Sequence, residues 1–199
     1  MYIPTAYAWD DAQEIERFVR RRGFGTIVTR SLAATELPLL WREEGGRHYL
    51  CGHLAKSNPM AAGLDGEPVL VLFAGPDGYV SPLWYETPDV PTWNYVAVHV
   101  RGAFRVSGPA EAWQDLVDLV ARHEPDSPVT ALLERPEVRA QAAAVVPFRI
   151  EIASLEGKRK LSHNRSEATR ASVQEGLRQK GDLRSLLLAA AMSEGVEPR

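Results

Sequence analysis

Lys56 and Ser57 stand immediately before Asn58-Pro59, a pair that starts helices, with Asn as the cap and Pro at the first helical position. An ammonium, a hydroxyl and unpaired backbone N–H groups gathered at such a turn make an anion site. A few charge-assisted hydrogen bonds of roughly 1.5 to 3 kcal/mol each would hold a phosphate ester there. The same residues also read as an exposed lysine followed by a turn serine, and the local pattern leaves both readings open. A second polar segment beside glycine, GKRKLSHNRS, runs from Gly157 to Ser166. It offers Lys158, Arg159, Lys160, Ser162, His163, Asn164 and Arg165, whose cations could meet the phosphate of a nucleotide cofactor or of DNA.

Between these segments, Gly75 to Gly102 packs aromatics, prolines and glycines densely. Tyr79, Trp84, Tyr85, Trp93 and Tyr95 would each leave a large apolar surface in water unless packed on the core, a partner subunit or a flat ligand. Other chemistries lack their residues. There is no C-x-x-C or H-x-x-x-H spacing for zinc, no Walker A or G-x-G-x-x-G sequence, and no G-x-S-x-G nucleophile elbow. No side chain is assigned a catalytic role. A flat ligand carrying a phosphate would use the aromatics and the anion site together.

A net charge of −3 argues against holding nucleic acid by bulk charge, although it leaves room for a local basic patch. At 199 residues the chain can bury a core without staples. The longest apolar run, Val69 to Ala74, is too short to span a bilayer, and MYIPTAYAWDD has neither a basic nor an apolar leader region. A cytoplasmic protein with no membrane partner is expected. The single Cys51 falls in a predicted strand and reads as a buried thiol rather than a redox sensor.

Several elements must position these groups. Asp10 is read as the cap of a helix carrying the apolar stripe Ile15, Phe18 and Val19, which Gly23 ends. Strand patterns follow at 24–29, 37–41, 47–52 and 69–74; the continuously apolar last one suggests a strand covered on both faces, as in a small barrel with helices outside. Trp93 to Val106 sets Val96, Val98, Val100, Phe104 and Val106 against the core, and Trp93, Tyr95, His99, Arg101 and Arg105 toward a ligand or another subunit. Helices are expected from Pro109 and Pro136, a half-buried strand from Pro147 to Leu155, and two final helices capped by Ser166 and Asp182. The last should present Leu183, Leu186, Leu187 and Ala190 as its apolar stripe. This organisation is one domain over 1–165 with a helical tail over 166–199.

Read together, Met1-Tyr2-Ile3-Pro4, GHLAKSNP (52–59), LFAGPDGYVSPLWY (72–85), VPTWNYVAVHVRG (90–102) and EGKRKLSHNRS (156–166) resemble the PaiB-like family, the FMN-binding negative transcriptional regulators related to pyridoxamine-phosphate-oxidase-like flavoproteins. The resemblance implies a mainly β chain with helices, a six-stranded antiparallel split barrel, and a homodimer with FMN at the subunit interface. It places the phosphate at Lys56 and Ser57, flanked by His53 and Asn58, with Thr29 and Arg30 as helpers. The flavin ring would lie near Tyr79, Ser81, Trp84, Trp93 and Asn94, and Lys160, Ser162, Asn164 and Arg165 would close the site from the partner subunit. Lys56 replaces a common Arg of the family, and His163 a common Gln. The implied role is negative transcriptional regulation, with DNA as a candidate partner through the basic region from Lys158 to Lys180. The alternative is an FMN-dependent oxidoreductase using NAD(P)H.

Overall fold

The computed structural model describes residues 1–87, 89–125 and 127–194. In chain order the elements are β1 (Ala8–Trp9), α1 (Ala12–Arg22), β2 (Phe24–Thr29), β3 (Ala34–Pro38), β4 (Leu40–Glu44), β5 (Arg47–Ala55), β6 (Pro68–Val80), β7 (Thr92–Val106), α2 (Pro109–His123), α3 (Val129–Leu133), α4 (Pro136–Arg139), β8 (Val145–Lys160), α5 (Glu167–Lys180) and α6 (Leu183–Glu194).

The strands form one sheet in the order β3-β2-β6-β7-β8-β5-β4, with β1 paired to β8. Eight strands among the described residues replace the six expected. The run Leu37 to Trp41 is interrupted at Leu39, whose N–H bonds Gly23 O at 2.8 Å. Its two halves therefore serve opposite ends of the strand path: β3 pairs with β2, and β4 pairs with β5, both antiparallel. The remaining strand, β1, pairs Ala8 with Lys158 and Trp9 with Gly157. That pairing draws Gly157 to Lys160 into β8, beyond Leu155 where the sequence ended the strand.

The chain forms two compact units. The first comprises Met1–Phe18, Phe73–His99 and the chain from Glu156 onward; the second comprises Val19–Leu72 and Val100–Leu155. In the first, Trp9 meets Phe18 edge-on at 5.5 Å, and Phe73, Val80, Val96 and Val98 are buried with Leu177 and Leu188 of the last two helices. In the second, Ile27, Leu50, Val71 and Ile150 are buried around a stacked pair, Phe104 and Phe148, at 4.5 Å. Each fully buried side chain of this kind stabilises the fold by about 1.5 to 3 kcal/mol. The second unit also carries an ion network on α2: Asp115, nearly buried, accepts from Arg42 Nε at 2.7 Å and Arg149 Nε at 2.8 Å.

Local chemistry sets the element ends. Asp11, rather than Asp10, caps α1, its Oδ1 accepting from Glu14 N at 2.9 Å. Gly23 then stops the helix at φ +54°. Ser166 Oγ accepts from Thr169 N at 3.1 Å and Asp182 Oδ1 from Ser185 N at 3.0 Å, capping α5 and α6 as expected. The expected stripe of α6 is not its buried face: Leu183 is 73% exposed and Leu186 and Leu187 42%, whereas Leu188, Ala191 and Met192 are buried. The helix expected from Pro136 is an α-helical turn, Pro136–Arg139, that continues as a 3₁₀ helix over Ala140–Ala144 before the chain enters β8 at Val145.

Candidate functional site

The second unit contains a cavity of about 640 Å³. Its walls come from the end of β2, the start of β6 and the middle of β7, and are mostly apolar: Val28, Leu32, Pro68, Val69, Leu70 and Ala103. Thr29, Arg30 and Arg101 supply its polar groups. Beyond Thr29 the chain turns sharply. Thr29 N and Oγ1 both reach Ala33 O, at 2.9 and 3.3 Å, and Leu32 takes a left-handed φ of +65° that leaves its side chain 83% exposed. On β7 the cavity includes Gly102, where an added Cβ would sit 2.2 Å from Glu151 O, so only glycine permits this approach of backbone to backbone. Arg101, on the strand face expected to meet a ligand, joins the lining although it was not among the residues singled out for binding.

His53, Lys56, Ser57 and Asn58 lie at the end of β5 in the same unit, and none is in the lining of that cavity. Lys56 Nζ donates to Ala143 O at 3.2 Å, which leaves two of its three donors for other acceptors. The helix start at Asn58-Pro59 is a single 3₁₀ turn, Pro59–Ala61, and Asn58 Oδ1 itself takes the Met60 N–H at 2.9 Å. The row of unpaired N–H groups expected there is thus reduced to what one turn leaves. His53 Nδ1 is buried with no hydrogen-bond partner, and burial lowers its pKa, favouring the neutral ring.

The first unit holds the other sequence-predicted residues in three groups. Asn94, Lys160, Ser162, Asn164 and Arg165 come together around a small polar cavity of about 80 Å³, with Tyr7, Tyr85 and Asp89 also in its wall. Asn94 Nδ2 donates to Ser162 Oγ at 2.9 Å, and Lys160 Nζ reaches Thr92 Oγ1 at 2.5 Å. Arg165 pairs with Asp89 at 2.5 Å and lies 5.0 Å from the Tyr85 ring. Burial holds the Lys160 ammonium below its ordinary value; Lys158 and Arg165 push the same way while Tyr95 opposes them. Burial likewise pushes the Tyr85 phenol up.

Tyr79 and Trp93 form a separate exposed pair, edge to face at 6.4 Å. Asp77 accepts from Trp93 Nε1 at 3.0 Å and pairs with Arg184 at 2.6 Å, and the Arg184 guanidinium lies over the indole. Ser81 caps the 3₁₀ turn Pro82–Trp84 through its Oγ, and Trp84 packs directly on Gly176 of α5. Trp84 is thereby engaged in packing between its turn and α5. Nothing in the sequence marked Tyr7 or Asp89 as neighbours of Lys160; only the folded chain brings them there.

Among the described residues no cluster of His, Cys, Asp or Glu could hold a metal, and no helix is long and apolar enough to cross a membrane. The fold is a mainly β sheet with peripheral helices, of the split-barrel kind, and its second unit bears an apolar cavity with arginine in its wall. The chain belongs to the family described as "Putative FMN-binding domain", whose profile matches residues 1–154. Over 204 residues it is 33% identical to "Protease synthase and sporulation protein PAI 2" of Bacillus subtilis (strain 168), across 99% of each chain. Two solved structures share its fold. The flavocytochrome Anf3 from Azotobacter vinelandii has a TM-score of 0.59 at 16% identity, covering 83% of this chain and 75% of that one. The FAD and heme binding protein from Mycobacterium smegmatis has a TM-score of 0.58 at 17% identity, covering 77% and 73%.

Proposed function

We propose that the protein binds FMN in the large cavity of the second unit and acts as a homodimeric regulator of the PaiB-like type. The observation that carries this reading is the lining itself. An aliphatic surface suits the flat faces of a flavin ring, and Thr29, Arg30 and Arg101 offer a hydroxyl and two guanidinium groups for a phosphate and ring oxygens. The volume of about 640 Å³ falls in the usual range for small-molecule sites. The cavity of about 80 Å³ in the first unit is too small for a flavin. Lys56 and Ser57, flanked by His53 and Asn58, are proposed on family resemblance as further phosphate ligands. When bound, FMN supplies one- and two-electron chemistry, and the protein supplies position and electrostatics.

A regulatory role is supported by the resemblance to the PaiB-like family and by the name of the Bacillus subtilis relative, which concerns protease synthesis and sporulation. Exposed Tyr79 and Trp93, of residue types that anchor interfaces, support a second copy of the chain as partner. The reading is tested by titrating the protein with FMN and with riboflavin, which lacks the phosphate. Saturable binding of FMN that is at least about tenfold tighter than riboflavin supports a ring-plus-phosphate site; equal affinity contradicts it. Sedimentation with FMN reports the dimer, and filter binding of the protein's own promoter DNA at low salt reports the DNA contact. Anaerobic bleaching of the flavin by NADPH or NADH would instead support the oxidoreductase reading.

A further inference from the structure

We infer that the small polar cavity of the first unit is a binding site for a single small oxyanion, separate from the cavity proposed for FMN; the inference rests on that proposal, which takes Asn94, Lys160, Ser162, Asn164 and Arg165 out of the flavin site where the family resemblance put them. Three observations converge on it. Its wall carries two cations, Lys160 and Arg165, against one carboxylate, Asp89, leaving one positive charge without a counter-charge in the lining. Arg165 spends that carboxylate through its ion pair, and the Lys160 ammonium meets a neutral hydroxyl, Thr92 Oγ1. The unmatched charge therefore sits on Lys160.

The second observation is size. About 80 Å³ is the space of roughly two to three liquid waters, which suits an anion of four or five heavy atoms and excludes a nucleotide. The third is donor chemistry. Asn164 adds an amide to the ammonium and guanidinium, whose neighbours in the wall, Tyr7 and Tyr85, set their rings 5.9 and 5.0 Å from Lys160 and Arg165, so an oxyanion could replace part of its hydration shell there. Burial first, and then Lys158 and Arg165, lower the Lys160 pKa, and a bound anion would raise it.

The shared chemistry is a small carboxylate or an inorganic oxyanion, and the experiment separates the two. The full-length protein is titrated with acetate, with inorganic phosphate and with nitrate at constant ionic strength set by chloride, following the backbone amides of Asn164 and Arg165 by NMR. The expected result is saturable movement of these amides by at least one anion, with half-saturation on the order of 1 mM. Whichever anion saturates identifies the source. Lys160→Met should weaken it about tenfold or more and Lys160→Arg should restore most of it. Should Lys160→Met fail to fold, Asn164→Ala, which removes one donor from an exposed position, replaces it and should also weaken binding. Linear, unsaturated shifts with all three anions, unchanged affinity in these variants, or displacement of the anion by FMN would overturn the inference. The FMN titration is read separately from its own absorbance, so either site can fail alone.

Discussion

Asn94 and Ser162 lie 68 residues apart in the chain and meet through a 2.9 Å hydrogen bond from amide to hydroxyl, both side chains buried. Ser162 makes this contact from a left-handed backbone, φ +61°, two residues after β8 ends at Lys160. The pair thus holds the Lys160 to Arg165 segment against the start of β7. Asn94→Ala should cost about 1 to 3 kcal/mol, because it leaves a buried hydroxyl without its donor. Ser162→Val should destabilise more than Ser162→Gly, since a β-branched residue is strained at positive φ and glycine is not. Urea unfolding of the three variants checks the order.

Gly176 supports Trp84 in a similar way. An added Cβ would lie 2.3 Å from Trp84 Cε2. Gly176→Ala gains about 0.5 to 1 kcal/mol of helix propensity but forces an overpacking cost of about 1 to 3 kcal/mol, so the net effect is loss. A lower melting temperature together with a changed tryptophan emission is expected; an unchanged spectrum with raised stability would contradict the packing described.

Glycines also show where sequence reading reached its limit. Gly75-Pro76 and Gly78 suggest a turn, yet β6 runs unbroken from Pro68 to Val80. At Gly75 a Cβ would sit 2.7 Å from Val96 Cβ, and at Gly78 2.9 Å from Leu188 Cδ2. These glycines serve close packing, and a local pattern cannot separate that role from a turn. Val96, Val98, Val100 and Phe104 of β7 and the caps Ser166 and Asp182 were legible because their signals are local, but Val106, expected on the same buried face at the strand's end, is 47% exposed. The burial of α6 was not: its stripe of Leu183, Leu186 and Leu187 looks apolar along the helix, but Leu188 and Met192 face the packed side. The small cavity was half legible, since Lys160 to Arg165 stood out by composition, whereas Tyr7 and Asp89 reach it only through the fold.

Ser166 Oγ and Thr169 Oγ1 donate to Glu86 Oε2 at 2.6 and 2.9 Å and hold its carboxyl below the ordinary value of 4.5. A carboxyl depressed in the folded state adds stability that is fully present above the unfolded pKa and is lost as the pH falls through the folded one. Hydrogen-exchange protection in the first turn of α5 should therefore decline below pH 4.5. Glu86→Gln should flatten that decline; an identical profile in the variant would show that Glu86 is not the group responsible.

Cys51 is buried, and burial pushes its thiol up to about 12. The thiolate is the reactive species, so a disulfide reagent at mildly alkaline pH should leave the native protein unlabelled and take up one equivalent on unfolding. Rapid labelling of the folded protein would place Cys51 among reactive rather than structural thiols.

The proposed flavin site rests on Arg30, which lines the cavity of the second unit. The direct measurement is an absorbance titration of wild-type protein, Arg30→Ala and Lys56→Ala with FMN. Saturable perturbation of the flavin band in the wild type is expected, weakened about tenfold or more in Arg30→Ala by loss of a charge-assisted contact. A parallel loss in Lys56→Ala would add Lys56 to the phosphate ligands. A flavin spectrum that does not change on adding wild-type protein, or an Arg30→Ala variant that binds FMN as tightly as wild type, would contradict the site.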